Sequence, residues 1–380
     1  MKVLFLGGTG MLGPHIIEHL LSVIGSDAAA INSADAIGED PGVQITVFNR
    51  SQRPNSPAAQ VHTVRGDRSD LQAGLDPLKQ MMDHGHRWDV VIDTASVNTW
   101  VEQSTALLES VTERYIYISS LSVYAENATA GQDESAAVAT MPDDVAATIT
   151  DTSYDMQYYG AVKARCEAAV QQHFGYRSLI FRPGLLVGPR DTTHRFTWWP
   201  WRIRRGGRVL APGSPDDPVQ FIDVRDFAAF IVNSIIKPRA GILNVNGPVN
   251  DNSSVGMTIG SLLEKCRSVT GSNAKLIWAD ADWLQQHDVH MWSHMPVWIP
   301  PGPETGGFHT RSIDKAVRAG LKTRPVEQTI RDTLDWFDHE FLPKHQATAD
   351  DDGGTDEWFF GPPRPGLSRE QDDALLRELT

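Results

Sequence analysis

Short apolar or β-branched runs alternate with longer stretches of helical periodicity through the first half of the chain. The runs Lys2 to Leu6, Gln44 to Asn49, Val61 to Arg65, Trp88 to Asp93, Arg114 to Ser119 and Arg177 to Arg182 predict strands. Between most of them, amphipathic spacing predicts helices at Met11 to Val23, Asp70 to Asp83, Trp100 to Val111 and Tyr154 to Phe174. Parallel strands need a crossover, and a helix supplies it. This alternation therefore implies an α/β fold with a doubly wound, mostly parallel sheet covered by helices on both faces.

The texture changes after Arg182. Nine of the 11 tryptophans lie beyond residue 190: Trp198, Trp199, Trp201, Trp278, Trp283, Trp292, Trp298, Trp336 and Trp358. Pro and Gly thicken there too, as in Pro300-Pro301-Gly302-Pro303. The expected organisation is an α/β domain over 1–190 and a smaller lobe over mainly 191–345, with a linker and tail over 346–380. Late strands near 219–250, such as Val219 to Val224 and Ile242 to Val245, are interleaved into the first unit. Two insertions stand out. Ser26 to Gly42 is small-residue and acidic, and Glu126 to Thr152 carries six acids without one Lys or Arg, which predicts a solvated loop or flap.

Charge narrows the partners. The 34 Lys and Arg against 48 Asp and Glu leave a net charge of −14 over 380 residues, which opposes nucleic-acid binding. Cys166 and Cys266 lie a hundred residues apart, a spacing that fits neither a disulfide framework nor a Cys-based zinc site and favours a reducing compartment, the cytoplasm. No run approaches the roughly 18 apolar residues of a membrane span, and Val3 to Leu6 is too short for the core of a signal peptide.

Gly7-Gly8-Thr9-Gly10-Met11-Leu12-Gly13 follows a strand run and opens a helical one. Glycine permits the tight turn, the missing Cβ admits a pyrophosphate, and the helix N-terminus offers N–H donors. Gly7, Thr9, Gly10, Met11, Leu12 and Gly13 are accordingly candidate dinucleotide contacts in a Rossmann-type fold, with Gly-x-x-Gly-x-x-Gly spacing. The second strand ends Asn49-Arg50-Ser51-Gln52-Arg53 without an acid to accept from a ribose 2′-hydroxyl. Asn49, Arg50 and Arg53 then favour NADP over NAD, the arginines pairing with the 2′-phosphate; the alternative is an ordinary solvated surface. Asp67 can accept from the adenine amino group or serve as a turn or helix cap, and Arg68 adjoins it. Thr94, Ala95 and Ser96 close the fourth strand where the cofactor's ribose and pyrophosphate would pass.

Tyr159 and Lys163 are one helical turn apart, so an ammonium can stabilise a neighbouring phenolate and make a proton shuttle. The fifth strand ends in Ser119-Ser120-Leu121-Ser122-Val123-Tyr124, at the edge where open α/β sheets bind ligands. A serine hydroxyl there can orient a carbonyl or alcohol while the tyrosine exchanges its proton.

With these pieces in order, the chain resembles the extended short-chain dehydrogenase/reductase superfamily of NAD(P)-dependent epimerases, dehydratases and reductases. The glycine turn, Ser119 to Tyr124, Tyr159-Gly160-Ala161-Val162-Lys163, Arg182-Pro183-Gly184 and Phe221 to Asp226 carry the resemblance over roughly residues 1 to 250. It implies Tyr159 as acid/base, Lys163 as its pKa-lowering neighbour and nicotinamide-ribose ligand, and Ser120 as the substrate-polarising hydroxyl. Pro183 would lie beside the nicotinamide. A homodimer through the helices before and containing the Tyr-x-x-x-Lys motif is implied too. Leu121 and Ser122 stand where 4,6-dehydratases carry an Asp-Glu pair, which disfavours that dehydration. Val219 stands where many nucleotide-sugar epimerases carry a diphosphate-holding Arg, although Arg202, Arg204, Arg205 or Arg208 can supply charge differently.

For substrate contacts, Ser122 and the cluster from His194 to Trp198 are candidates, the latter equally readable as core or dimer surface. Asn98 and Gln220 are either substrate-facing or structural. His290 and His294 have helical spacing with His287 nearby, but no acidic third ligand completes a metal site. The expected function is an NADP-dependent oxidoreductase transferring hydride between nicotinamide and a small-molecule carbonyl or alcohol. The alternatives are an epimerase working by transient oxidation and, in another class, a non-catalytic nucleotide-sensing or RNA-associated binding protein.

Overall fold

A computed structural model of the chain describes residues 1–8, 10–31, 42–50, 61–248, 256–346 and 365–379. Its centre is a seven-stranded parallel sheet. The strands are β1 (Lys2–Leu6), β2 (Gln44–Asn49), β3 (Val61–Arg65), β4 (Trp88–Asp93), β5 (Thr112–Ile118), β6 (Ser178–Pro183) and, after three short strands outside this sheet, β10 (Gly241–Val245). Their spatial order is β10-β6-β5-β4-β1-β2-β3. The order reverses between β1 and β4, which opens a crevice at the C-terminal ends of the strands. Strand alternation divides the core. Val3 and Phe5 face one helical layer, built on α1 (Leu12–Ile31) and α7 (Val224–Ile236). Leu4 and Leu6 face the other, built on α2 (Asp76–Asp83), α3 (Asn98–Leu108) and α5 (Tyr159–Phe174).

The first four strands run as their sequence predicts. The second helix starts late, at Asp76, because Asp70 accepts from the backbone N–H groups of Gln72 and Ala73 and folds the preceding residues into a turn. The helix carrying Tyr159 likewise starts at that residue and not at Tyr154, since Asp155 caps a short 3₁₀ turn over Met156–Tyr158. Phe221–Asp223, β9, leaves the main sheet and pairs with β7 (Leu185–Val187).

The lobe packs β8 (Arg208–Pro212) and β11 (Lys275–Ala279) with α6 (Trp198–Arg204), α8 (Ile259–Thr270), α9 (Ala281–Gln286) and α11 (Val326–Trp336). Buried indoles form much of its core, and two have a hydrogen-bonded N–H: Trp199 Nε1 donates to the Pro296 carbonyl at 2.6 Å and Trp298 Nε1 to Asp217 at 2.8 Å. The acidic segment 126–152 keeps Glu126, Asp143, Asp144 and Asp151 exposed to solvent, as its composition predicts, but it is not a plain loop. It holds α4 (Asp143–Thr148) and docks at both ends. Glu134 is buried, accepts from the Asn244 N–H at 2.8 Å and pairs with Lys315 at 3.1 Å, while Trp100 Nε1 donates to the Thr150 carbonyl at 2.8 Å. The remaining helices are α10 (Asp314–Arg318), α12 (Leu342–Gln346) and α13 (Arg369–Glu378). Among the described residues, no helix is long and apolar enough to cross a membrane.

Candidate functional site

At the crevice between β1 and β4, a cleft of about 480 Å³ is lined by Gly7, Asn49, Arg50, Asp67, Arg68 and the turn Thr94-Ala95-Ser96, with Phe48 and Trp100 as its aromatic walls. Gly7 has φ +96°, and a Cβ on it would meet Thr94 Oγ1 at 2.8 Å. A Cβ on Gly13 would stand 2.0 Å from the Gly8 carbonyl oxygen, so only glycine lets α1 start this close to β1. Gly10 is exposed on the turn, Met11 half-buried, and Leu12 the first core residue of α1. Thr9 and Arg53 lie outside the described residues. This glycine cradle and cleft fit a dinucleotide.

The charges around the cleft divide by burial. Arg50 is exposed at the rim. Asp67 Oδ1 accepts from Ser69 N and Oγ; burial pushes its carboxyl up, but these bonds and the charge of Arg50 outweigh it and hold the carboxyl below its ordinary value. Arg68 is committed elsewhere: its guanidinium makes a bidentate pair with Asp93 at 2.8 and 2.9 Å, both groups buried. Tyr115 adds a third bond to Asp93 at 2.7 Å. Burial alone would raise the Asp93 carboxyl, yet Arg68 keeps it below its usual range. Arg68 therefore braces the cleft wall through β4, and its cation is already matched.

The catalytic candidates converge one strand further along. Ser120 caps the short turn Leu121–Val123, with its Oγ accepting from Ser122 N at 3.1 Å and donating to Ser122 Oγ at 3.1 Å. Tyr159, at the start of α5, is half-buried; burial raises its phenol above the ordinary value while the neighbouring Ser120 hydroxyl opposes the rise. Lys163 differs from the expected arrangement. Its ammonium is buried and gives all three protons away, to the Ala95 carbonyl at 2.8 Å, the Tyr117 hydroxyl at 3.0 Å and the Ile118 carbonyl at 2.7 Å. Burial brings it down to about 8. In this arrangement Ser120, and not Lys163, is the group that draws the phenol down.

Two contributors escaped the sequence reading. A Cβ on Gly160 would stand 2.1 Å from the Ser122 carbonyl oxygen, so this glycine lets α5 press Tyr159 against the serine turn. Its signal was a glycine inside a helical pattern, which costs stability unless something must approach closely. Tyr117 accepts from Lys163 and donates to the Ala95 carbonyl at 2.9 Å, linking the lysine to the cofactor cleft. It reads in sequence as one more buried strand residue.

The substrate candidates scatter. Ser122 is exposed beside Ser120, and Pro183 ends β6 opposite Val245. His194 and Trp198 pack in the lobe and not on the wall of the cofactor cleft: the His194 ring packs on Phe341 at 4.4 Å and Trp198 on Trp199 at 4.5 Å. Asn98 is buried, its Nδ2 donating to the Ala146 carbonyl at 3.2 Å and so clamping α4 to α3. Gln220 is half-buried and ties β9 to the segment before α10, exchanging bonds with the Arg311 backbone at 3.1 and 3.2 Å. His290 and His294 belong to no helix, and His294 Nδ1 accepts from the His290 N–H at 3.0 Å.

A parallel sheet with a glycine turn and a cleft at its switch point defines a Rossmann-type dinucleotide-binding fold. The chain matches the model of the NAD dependent epimerase/dehydratase family over residues 3–246 and belongs to that family. Among solved structures it is similar to the Bordetella bronchiseptica enzyme WbmG in complex with NAD, at 18% identity, with 90% of this chain and 94% of that one covered and a TM-score of 0.60. A putative epimerase from Burkholderia cenocepacia J2315 gives 20% identity, 88% and 97% coverage and a TM-score of 0.60. UDP-glucuronic acid 4-epimerase from Bacillus cereus in complex with NAD gives 15% identity, 89% and 99% coverage and a TM-score of 0.57. At these identities the likeness is one of fold. No curated protein matches the chain at a significant level.

Proposed function

We propose that the chain is an NADP-dependent oxidoreductase that transfers hydride between nicotinamide and a carbonyl or alcohol carbon of a small molecule, with Ser120, Tyr159 and Lys163 at the reacting centre. The observation that carries this reading is the close packing of α5, at Gly160, on the serine turn that follows β5, which brings Tyr159 beside Ser120, one strand from a dinucleotide-sized cleft. When bound, the nicotinamide supplies the hydride donor or acceptor. Everything else falls to the chain. Ser120 and Tyr159 present a pair of hydroxyls to one substrate oxygen. A phenol whose pKa lies above its usual value near 10 is protonated at neutral pH, so Tyr159 is poised to give a proton to a developing alkoxide, which favours reduction. Lys163, lowered to about 8, is mostly cationic at pH 7, and its bonds to Ala95 and Tyr117 hold the wall between the reacting centre and the cofactor cleft.

Cofactor choice rests on the β2 tip. Arg50 stands exposed at the cleft rim where an acid would otherwise meet the ribose, which supports a 2′-phosphate contact. A substrate without a nucleotide diphosphate is favoured by the commitments of the lobe arginines: Arg202 pairs with Asp372, Arg204 with Asp338, and Arg208 donates to the Leu376 carbonyl. Val219 is wholly buried. Cytoplasmic residence and a homodimer built on α3 and α5 accompany the reading.

A second reading, epimerisation by transient oxidation, is favoured by the family and by relatives such as WbmG, whose structure is also known with NAD and UDP. Mass spectrometry of nucleotide retained by the purified protein, followed by NADPH oxidation assays over a carbonyl panel, separates the two. NADP(H) in the protein and NADPH consumption are expected. Retained NAD with substrate isomerised and no net redox change would overturn the oxidoreductase reading in favour of the epimerase.

A further inference from the structure

The turn Thr94-Ala95-Ser96, which walls the cofactor cleft, is held from behind by side chains that also surround the reacting centre. Ala95 N donates to Asp93 Oδ1 at 2.9 Å, and the Ala95 carbonyl accepts from Lys163 at 2.8 Å and from the Tyr117 hydroxyl at 2.9 Å. The next carbonyl, Ser96, accepts from the Tyr154 hydroxyl at 2.8 Å. Tyr117 closes the set. Wholly buried, its hydroxyl accepts from Lys163 at 3.0 Å and donates its own proton to Ala95.

The charges near Lys163 are matched to other partners. Asp93 of β4 is spent on Arg68, which follows β3, and Glu167, one turn further along α5, is spent on Arg182 of β6 at 2.6 and 2.9 Å. Burial pushes the Cys166 thiol up to about 12 and raises the Tyr115, Tyr117 and Tyr154 phenols, so these neighbours are neutral. The acceptors of the ammonium are neutral as well: the Ala95 and Ile118 carbonyls and one phenol. A buried cation of this kind favours an anion wherever it is aimed. Tyr159 lies one turn back on the same face of α5, yet all three Lys163 protons go elsewhere.

We propose that Tyr117 is a positioning residue of the reacting centre: its hydroxyl takes the third proton of Lys163 and keeps the ammonium turned into the cleft wall, away from the Tyr159 hydroxyl. With Tyr117 in place, Lys163 braces the turn beneath the cofactor, and Tyr159 keeps its proton for a developing alkoxide. Without that hydroxyl, one N–H of a buried ammonium loses its acceptor, and the phenol one turn back takes its place. The proposal rests on the reading of Tyr159 as the proton donor and deepens it.

The test is a pH titration of the full chain labelled with ring-fluorinated tyrosine and followed by fluorine NMR, with the Tyr159 signal assigned by its loss in Tyr159→Phe. It needs no substrate, so it fails or succeeds separately from the NADPH assays that decide the oxidoreductase reading. In Tyr117→Phe the Tyr159 midpoint should fall by at least about one pH unit, and adding Lys163→Met should abolish that fall. Tyr115→Phe removes a hydroxyl of the same strand that bonds Asp93 and not Lys163, and should move the midpoint by less than about half a unit. Lys163→Met alone should also leave it within about half a unit, an arm that stands even where Tyr117→Phe does not fold. An unchanged midpoint in Tyr117→Phe, an equal fall in Tyr115→Phe, or a rise of about one unit or more in Lys163→Met would each overturn the proposal.

Discussion

In the parallel sheet, polar side chains gather where the strands end. Asp93 meets Arg68 and Tyr115, Lys163 meets Tyr117 and two carbonyls, and Ser120 meets Tyr159. In the lobe, polar side chains tie packed segments together, as Asp372 does with Arg202, or support a buried ring, as Asp217 does for Trp298. Aromatic abundance therefore marks packing in one half, and a hydroxyl or glycine at a strand end marks chemistry in the other. The two halves should fail differently when they are damaged.

Trp198→Ala should break the lobe. Truncating a buried tryptophan costs about 3–5 kcal/mol, measurable as a lower denaturation midpoint, with cofactor affinity nearly unchanged in the folded fraction. If stability held and only substrate KM rose, Trp198 would be a cleft residue after all. Acid should act on the lobe as well. Burial takes His309 down to about 4, so between pH 6.5 and 4 the unfolded chain binds a proton that the folded chain refuses. Stability is then full above pH 6.5 and falls as pH drops through this window, by up to about 3 kcal/mol. His309→Gln should flatten that slope in urea melts across the same range.

In the sheet half, damage should be chemical. Gly160→Ala forces a Cβ against the Ser122 carbonyl and separates Tyr159 from Ser120; kcat should fall about a hundredfold, or about 2.7 kcal/mol, with cofactor Kd within about threefold of wild type. The smallest effect belongs to the rim. Arg50→Asp should weaken NADPH about tenfold relative to NADH in fluorescence titrations, and equal weakening of both would remove Arg50 from the 2′-phosphate.

How much the sequence disclosed follows the same division. β1, β2 and β4 are short runs buried on both faces and bounded by turn residues, so hydrophobic pattern alone marks their ends. The glycine turn and the Ser, Tyr, Lys set are local motifs, readable without knowing what lies across the fold. What stayed hidden depends on long-range partners. Arg68 looks like a cofactor ligand until Asp93 is seen beside it, and the acidic segment looks solvated until Glu134 meets Asn244 and Lys315. His194 is an indistinguishable case: the same ring beside the same tryptophans would serve a cleft or a core, and only the approach of Phe341 and Trp336 decides it.

The central claim is that Tyr159 moves the proton while contributing little to holding the cofactor. Measuring cofactor Kd and single-turnover hydride transfer side by side in the wild type and Tyr159→Phe tests it most directly. The account predicts a nearly unchanged Kd and a loss of at least about a thousandfold in the transfer rate. A Tyr159→Phe protein that transfers hydride at the wild-type rate would contradict it.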